Sequence, residues 1–181
     1  MNHAFEMRKA FAVALAMSLA APTFAKAAQV VAMGASNTAG KGRGATPDGV
    51  PRAQAFPAQL ERLLNASGCH VRVANAGIAG DTTGGMRTRL PGALGKDTKV
   101  LILQPGGNDS RQGVAENRSG NIAAMQAMAA QRGIKVIMFE SPNGIAPGER
   151  LPDGQHFSAA GHAAFAAWLA PQVRATGVCG N

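Results

Sequence analysis

The chain has no tyrosine, one tryptophan and only 4% aromatic residues among its 181. Base-stacking modules need aromatic rings beside basic side chains, and neither a zinc finger nor an arginine-rich helix is present, so no nucleic acid partner is expected. Cys69 and Cys179 are the two cysteines, with no CxxC and no metal-ligand spacing. They read either as one disulfide or as two small buried hydrophobes. A bridge would anchor the tail, and closing so long a loop is worth roughly 4 to 5 kcal/mol. Acidic residues are scarce, 10 against 18 Lys and Arg, for a net charge of +8. We read that excess as a basic solvated surface, because charge alone assigns no anionic ligand.

Long apolar runs are also missing. The stretch Ala10–Ala21 is too short and too alanine-rich to span a membrane. With Arg8 and Lys9 before it and Ala25-Lys26-Ala27 after it, it reads instead as a secretory signal over residues 1–27, with Met7 the tidier start. Residues 28–181 then form one domain with a single substantial core, exported to the periplasm and with no stable membrane insertion after cleavage.

From Gln29 onward, strand and helix patterns alternate. A β-branched run ends at Met33, and HVRVA (His70–Ala74), VLIL (Val100–Leu103) and IKVIMF (Ile134–Phe139) follow as further strands. Between them Phe56, Leu60, Leu63 and Leu64 recur at helical spacing, and Gly68 lies where that helix could end. Ile122, Met125, Met128 and Ala129 form a second stripe that stops at Gly133. Ser158 can N-cap a last helix with His162, Phe165, Trp168 and Leu169 inward. Such alternation implies a parallel sheet with helices on both faces. The unpatterned stretches Thr38–Ala53, Gly106–Glu116 and Ser141–Gln155 are long for idle loops. By position, the first two are expected to wall a pocket.

Gly34 permits a tight turn that leaves Ser36 just past the carboxyl end of the first strand, the edge where open parallel sheets bind ligands. A serine hydroxyl is a poor nucleophile without a base, and histidine has the pKa for that task. His156 is the best candidate, because Asp153 three residues earlier can orient its imidazole. The developing oxyanion needs donors, for which the N–H groups of Ser36 and Gly80 and the amide of Asn108 are available. Gly80 lies in NAGIAGDTT after the second strand, and Asn108 in QPGGND after the third.

Each residue alone has a blander reading. Ser36 could be a helix cap, Gly80 a positive-φ turn residue, Asn108 an Asx-turn and Asp153 a loop cap. Asp81 and Asp109 read as loop braces, His162 as a packed core histidine, His70 as a strand-start residue, and His3 as part of the signal. A phosphate loop is disfavoured, since five residues separate Gly34 from Gly40 and Gly42 follows Lys41.

In order, Ser36, Gly80, Gly106-Gly107-Asn108-Asp109, and Asp153 with His156 resemble the four blocks of the SGNH (GDSL-like) hydrolases, from Val30 to about Val173. The surrounding sequence is most similar to the secreted thioesterase, lysophospholipase and arylesterase branch. The resemblance implies an α/β flavodoxin-like three-layer α/β/α sandwich with a parallel sheet of four to five strands. It also implies a Ser-His-Asp esterase acting on a small acyl ester or thioester, with no metal or organic cofactor. One departure stands out: the usual Gly-Asp-Ser reads Gly34-Ala35-Ser36, with Asn37 and Thr38 the candidates to replace the hydrogen bonds of the absent carboxylate. No separate fifth strand precedes the Asp153 loop, which suggests a four-strand version. A carbohydrate O-acetyl esterase, or a non-catalytic ligand-binding protein on the same fold, are the alternatives.

Overall fold

The computed structural model describes residues 28–41, 48–139 and 150–180. The expected signal at 1–27, the middle of the first long loop and most of the third lie outside the described residues. Four strands, β1 (Ala28–Gly34), β2 (Val71–Gly77), β3 (Thr98–Gln104) and β4 (Lys135–Met138), form one parallel sheet in the order β2-β1-β3-β4. Among the described residues there is no fifth strand. The order reverses at β1, whose Val30 pairs with Val73 on one side and Val100 on the other. The crevice above that reversal is where a doubly wound sheet offers a ligand site.

Alternation along the strands builds two cores. Val30, Ala32, Val100 and Ile102 face helices α2 (Phe56–Ala66) and α6 (Ala159–Ala175). Val31, Met33, Leu101 and Leu103 face α3 (Thr83–Ala93) and α5 (Arg118–Gln131). Side chains of period 2 on a central sheet, covered on both faces, are the three-layer α/β/α sandwich. Two single-turn helices, α1 (Ser36–Ala39) and α4 (Asn108–Arg111), follow β1 and β3 directly. No helix among the described residues is long and apolar enough to cross a membrane.

Three details depart from the sequence patterns. Leu63 is exposed: at about 100° per residue the buried arc of α2 runs from Phe56 through Leu60 and Leu64, and Leu63 falls just outside it. Trp168 also lies off the buried arc of α6, stacked on Phe165 at the surface with ring centroids 5.6 Å apart. The helix α3 gave no pattern at all, because Gly84, Gly85, Pro91 and Gly92 depress its propensity and only Met86 and Leu90 mark its inner face. Its start is fixed by Thr82, whose side chain accepts the Gly85 N–H at 3.2 Å. The C-terminus of α2 closes with Cys69 N–H to Leu64 O and Gly68 N–H to Asn65 O, at 2.9 and 3.1 Å. There Cys69 is joined to Cys179 by a disulfide that ties the end of α2 to the C-terminal tail.

Candidate active site

Ser36 opens α1, half-buried at the carboxyl end of β1. Its Oγ lies 2.8 Å from His156 Nε2, and His156 Nδ1 lies 2.6 Å from Asp153 Oδ2. A carboxylate accepts only, so it holds the proton on Nδ1 and leaves the Nε2 lone pair to take the serine hydroxyl's proton. Asp153 Oδ1 accepts the N–H groups of Gln155 and His156, each at 2.9 Å. Partial burial pushes the Asp153 carboxyl up, but these two N–H donors and the imidazole outweigh it and lower its pKa to about 2. The acid is therefore ionised throughout the neutral range. His156 itself is buried, and its carbonyl accepts the Leu151 N–H at 2.8 Å, closing the loop on itself.

The second group of residues lies on the loops that follow β2 and β3. Gly80, with φ 79°, occupies a turn closed by Asp81 N–H to Ile78 O at 3.2 Å, so the positive-φ requirement read from sequence is real. Asn108 opens α4 and donates through Nδ2 to Asp81 O at 2.7 Å, while Gln112 Nε2 donates to Gly80 O at 2.7 Å. The two loops are thereby fastened to each other. Arg89 fastens them to the nucleophile turn: Nε meets Asp81 Oδ2 at 2.7 Å, Nη1 the Ala76 carbonyl and Nη2 the Gly34 carbonyl at 3.2 Å. Gly85 must be glycine beneath this ion pair, since a Cβ there would collide with the Asp81 carboxylate. Asp109, fully buried, accepts both the N–H and the hydroxyl of Thr83 at the start of α3. Asp81 and Asp109 are thus loop braces, as their positions suggested.

Asn37 and Thr38 are both hydrogen-bonded through their side chains. Asn37 Oδ1 accepts the Phe157 N–H at 3.0 Å, and Thr38 Oγ1 donates to Gln104 Oε1 at 2.6 Å at the end of β3. His162 is a core residue: its Nδ1 accepts the Phe56 N–H at 3.2 Å between the Phe56 and Phe157 rings. Burial, and then the charge on His156, lower its pKa to about 4. Sequence reading missed Arg89 and Gln112. Each acts on backbone carbonyls of distant loops, and no pattern in the chain marks such a partner.

A serine, a histidine and an aspartate in one hydrogen-bonded line, at the carboxyl edge of a three-layer parallel sheet, form the constellation that serine hydrolases use. The chain belongs to the GDSL-like lipase/acylhydrolase family, whose model matches residues 32–179. It is similar to esterase TesA of Pseudomonas aeruginosa, 36% identical over 93 residues, and to an arylesterase of Vibrio mimicus, 32% identical over 93 residues. Each match covers 50% of this chain and 46% of the relative, so it spans less than half the relatives' length. Among solved structures, TesA has a TM-score of 0.68 at 24% identity, covering 82% of this chain and 99% of that one. A carbohydrate acetylesterase family member from Sinorhizobium meliloti also has a TM-score of 0.68, at 17% identity, covering 82% and 98%. At these identities the structural likeness is one of fold.

Proposed function

We propose that the protein is an exported serine esterase that hydrolyses carboxylic esters or thioesters through an acyl-enzyme on Ser36. The observation that carries the reading is the continuous line from Ser36 Oγ through His156 to Asp153, at 2.8 and 2.6 Å. The names of the two relatives, esterase and arylesterase, agree with an ester substrate. A disulfide from Cys69 to Cys179 suits an oxidising compartment outside the cytoplasm.

In this mechanism His156 Nε2 takes the hydroxyl proton as Ser36 Oγ bonds to the acyl carbon. The carbonyl oxygen becomes an oxyanion, which the N–H groups of Ser36 and Gly80 and the second amide hydrogen of Asn108 stabilise. The tetrahedral intermediate collapses, and His156 returns its proton to the departing alcohol or thiol. Water, deprotonated by the same imidazole, then releases the acid and restores Ser36. Throughout, ionised Asp153 stabilises the imidazolium without accepting its proton.

The test is hydrolysis of p-nitrophenyl acetate, butyrate and octanoate, with fluorophosphonate labelling, for the wild type and Ser36→Ala. Activity should fall by at least about 10⁴-fold in the variant, and the label should vanish. A folded wild type that neither hydrolyses nor labels overturns the reading in favour of a binding protein. Release of acetate from acetylated sugars, with little activity on longer chains, would redirect it to carbohydrate O-acetyl esters.

A further inference from the structure

We propose that Asn37 is a positioning residue that fixes His156 against Ser36, a role that rests on the hydrolase reading above. The chain reads Gly34-Ala35-Ser36-Asn37 where the family's name spells Gly-Asp-Ser-Leu, so a polar amide occupies a position the name gives to an apolar side chain. Ala35 lies in the aliphatic core and offers no hydrogen bond in place of the lost carboxylate. Asn37 is only 6% exposed, and a buried amide is costly unless its polar atoms are bonded. Its Oδ1 accepts the N–H of Phe157, the residue immediately after His156.

Two consecutive residues of α1 therefore grip two consecutive residues of the loop: Ser36 holds His156, and Asn37 holds Phe157, at 2.8 and 3.0 Å. The other bonds of residues 150–157 described above run within the loop. Leu151 donates to His156 O, and Asp153 accepts from Gln155 and His156. They make the loop a rigid unit but do not orient it. The Phe157 ring, packed on His162 and Phe165, roots that unit in the core, and the bond from the N–H of the same residue to Asn37 fixes its rotation about that root. The serine contact is also interrupted in each cycle, when the proton moves to the imidazole and on to the leaving group. The Asn37 bond takes no part in that transfer and keeps the ring in register while it happens. Its own base is firm, because Thr38 anchors α1 to Gln104 of β3.

The charged and titratable groups around His156 are Asp153 on its own loop and His162 on α6, with Arg150 over the Phe157 ring at 5.9 Å. All three stay unchanged in variants at position 37. The experiment compares the full chain with Asn37→Leu and Asn37→Asp, reading kcat, KM, fluorophosphonate labelling rate and the pH profile of kcat/KM. Loss of the acceptor in Asn37→Leu should lower kcat and labelling roughly 10- to 100-fold, the scale of a small misplacement of a reacting group, with KM within about two-fold. In Asn37→Asp the acceptor returns and kcat at alkaline pH should recover to within about three-fold of wild type; the acid limb should move to higher pH, because a new carboxylate favours the imidazolium. A folded Asn37→Leu labelled at the wild-type rate overturns the inference alone. So does an Asn37→Asp that is slow at every pH with an unmoved acid limb, even if the leucine variant does not fold. A wild type that resists the label overturns the hydrolase reading and takes this inference with it.

Discussion

On one side of Ser36, His156 stands on a loop rooted by Phe157, a buried ring packed against Phe165 and His162. On the other, Gly80 and Asn108 stand on loops held by a lattice of charged, hydroxyl and amide groups: Arg89, Asp81, Arg111, Asp109, Thr83 and Asn121. The histidine side takes its position mainly from packing, with a few hydrogen bonds to orient the ring. The donor side takes its position from directional bonds that end on loop carbonyls and the start of α3. A carbonyl-facing cradle has to leave N–H groups free to point at substrate, and buried rings cannot do that. A base has to be shielded, and rings do that well.

The contrast can be sharpened most strongly at Asp153. Replacing it with Asn keeps an oxygen for the Gln155 and His156 N–H groups but frees the Nδ1 tautomer. We expect kcat to fall roughly 10³- to 10⁴-fold, with only a modest loss of stability at pH 7 from giving up a carboxylate whose pKa the fold holds low. Steady-state kinetics beside thermal unfolding decide it. A large fall in stability with little loss of kcat would mean that Asp153 serves the loop and not the imidazole.

The donor side should respond in the opposite sense. In Asp109→Ala, the Thr83 N–H and hydroxyl lose their buried acceptor, and the chain through Asn121 to Arg87 loses its end. The expected cost is about 3 kcal/mol in urea unfolding, net of relief from burying the carboxylate. The folded fraction should keep more activity than Asp153→Asn. A cost below about 1 kcal/mol would show that packing holds both sides alike and dissolve the contrast.

The same contrast explains what sequence alone yields. Packing announces itself as pattern: β-branched runs at Val30, Val71, Val100 and Val136 gave the parallel strands, and the stripes through Leu60, Met125 and Phe165 gave three helices. Ser36, His156 and Asp153 were readable because their chemistry is rare and their order specific. Arg89 and Gln112 were not, because an arginine or glutamine bonded to a distant loop carbonyl looks like any surface residue until the fold places it. Helix α3 was hidden for a related reason. Its Gly85 satisfies close approach beside Asp81 and not helix propensity, so tertiary contact overrides the local signal there. Leu63 and Trp168 erred the other way, apolar residues near a stripe whose exact arc only the packed helices define.

The smallest expected effect tests whether the aromatic side is as dry as its packing implies. His162, enclosed by Phe56 and Phe157, accepts the Phe56 N–H and has its pKa lowered to about 4 by burial. In the unfolded chain it titrates near its ordinary value of 6.5. A group whose folded pKa lies below its unfolded one leaves stability intact above the unfolded value and removes it as pH falls toward the folded value. Stability should therefore be unaffected by this residue above pH 6.5, lost progressively below it, and lower by about 2 kcal/mol near pH 5. Replacement by Asn, which offers a neutral acceptor, should flatten that part of the curve when urea unfolding is measured from pH 7 to 4.5. An unaltered slope in His162→Asn would mean that water reaches the histidine, and that packing does not shield the base as the two-sided comparison requires.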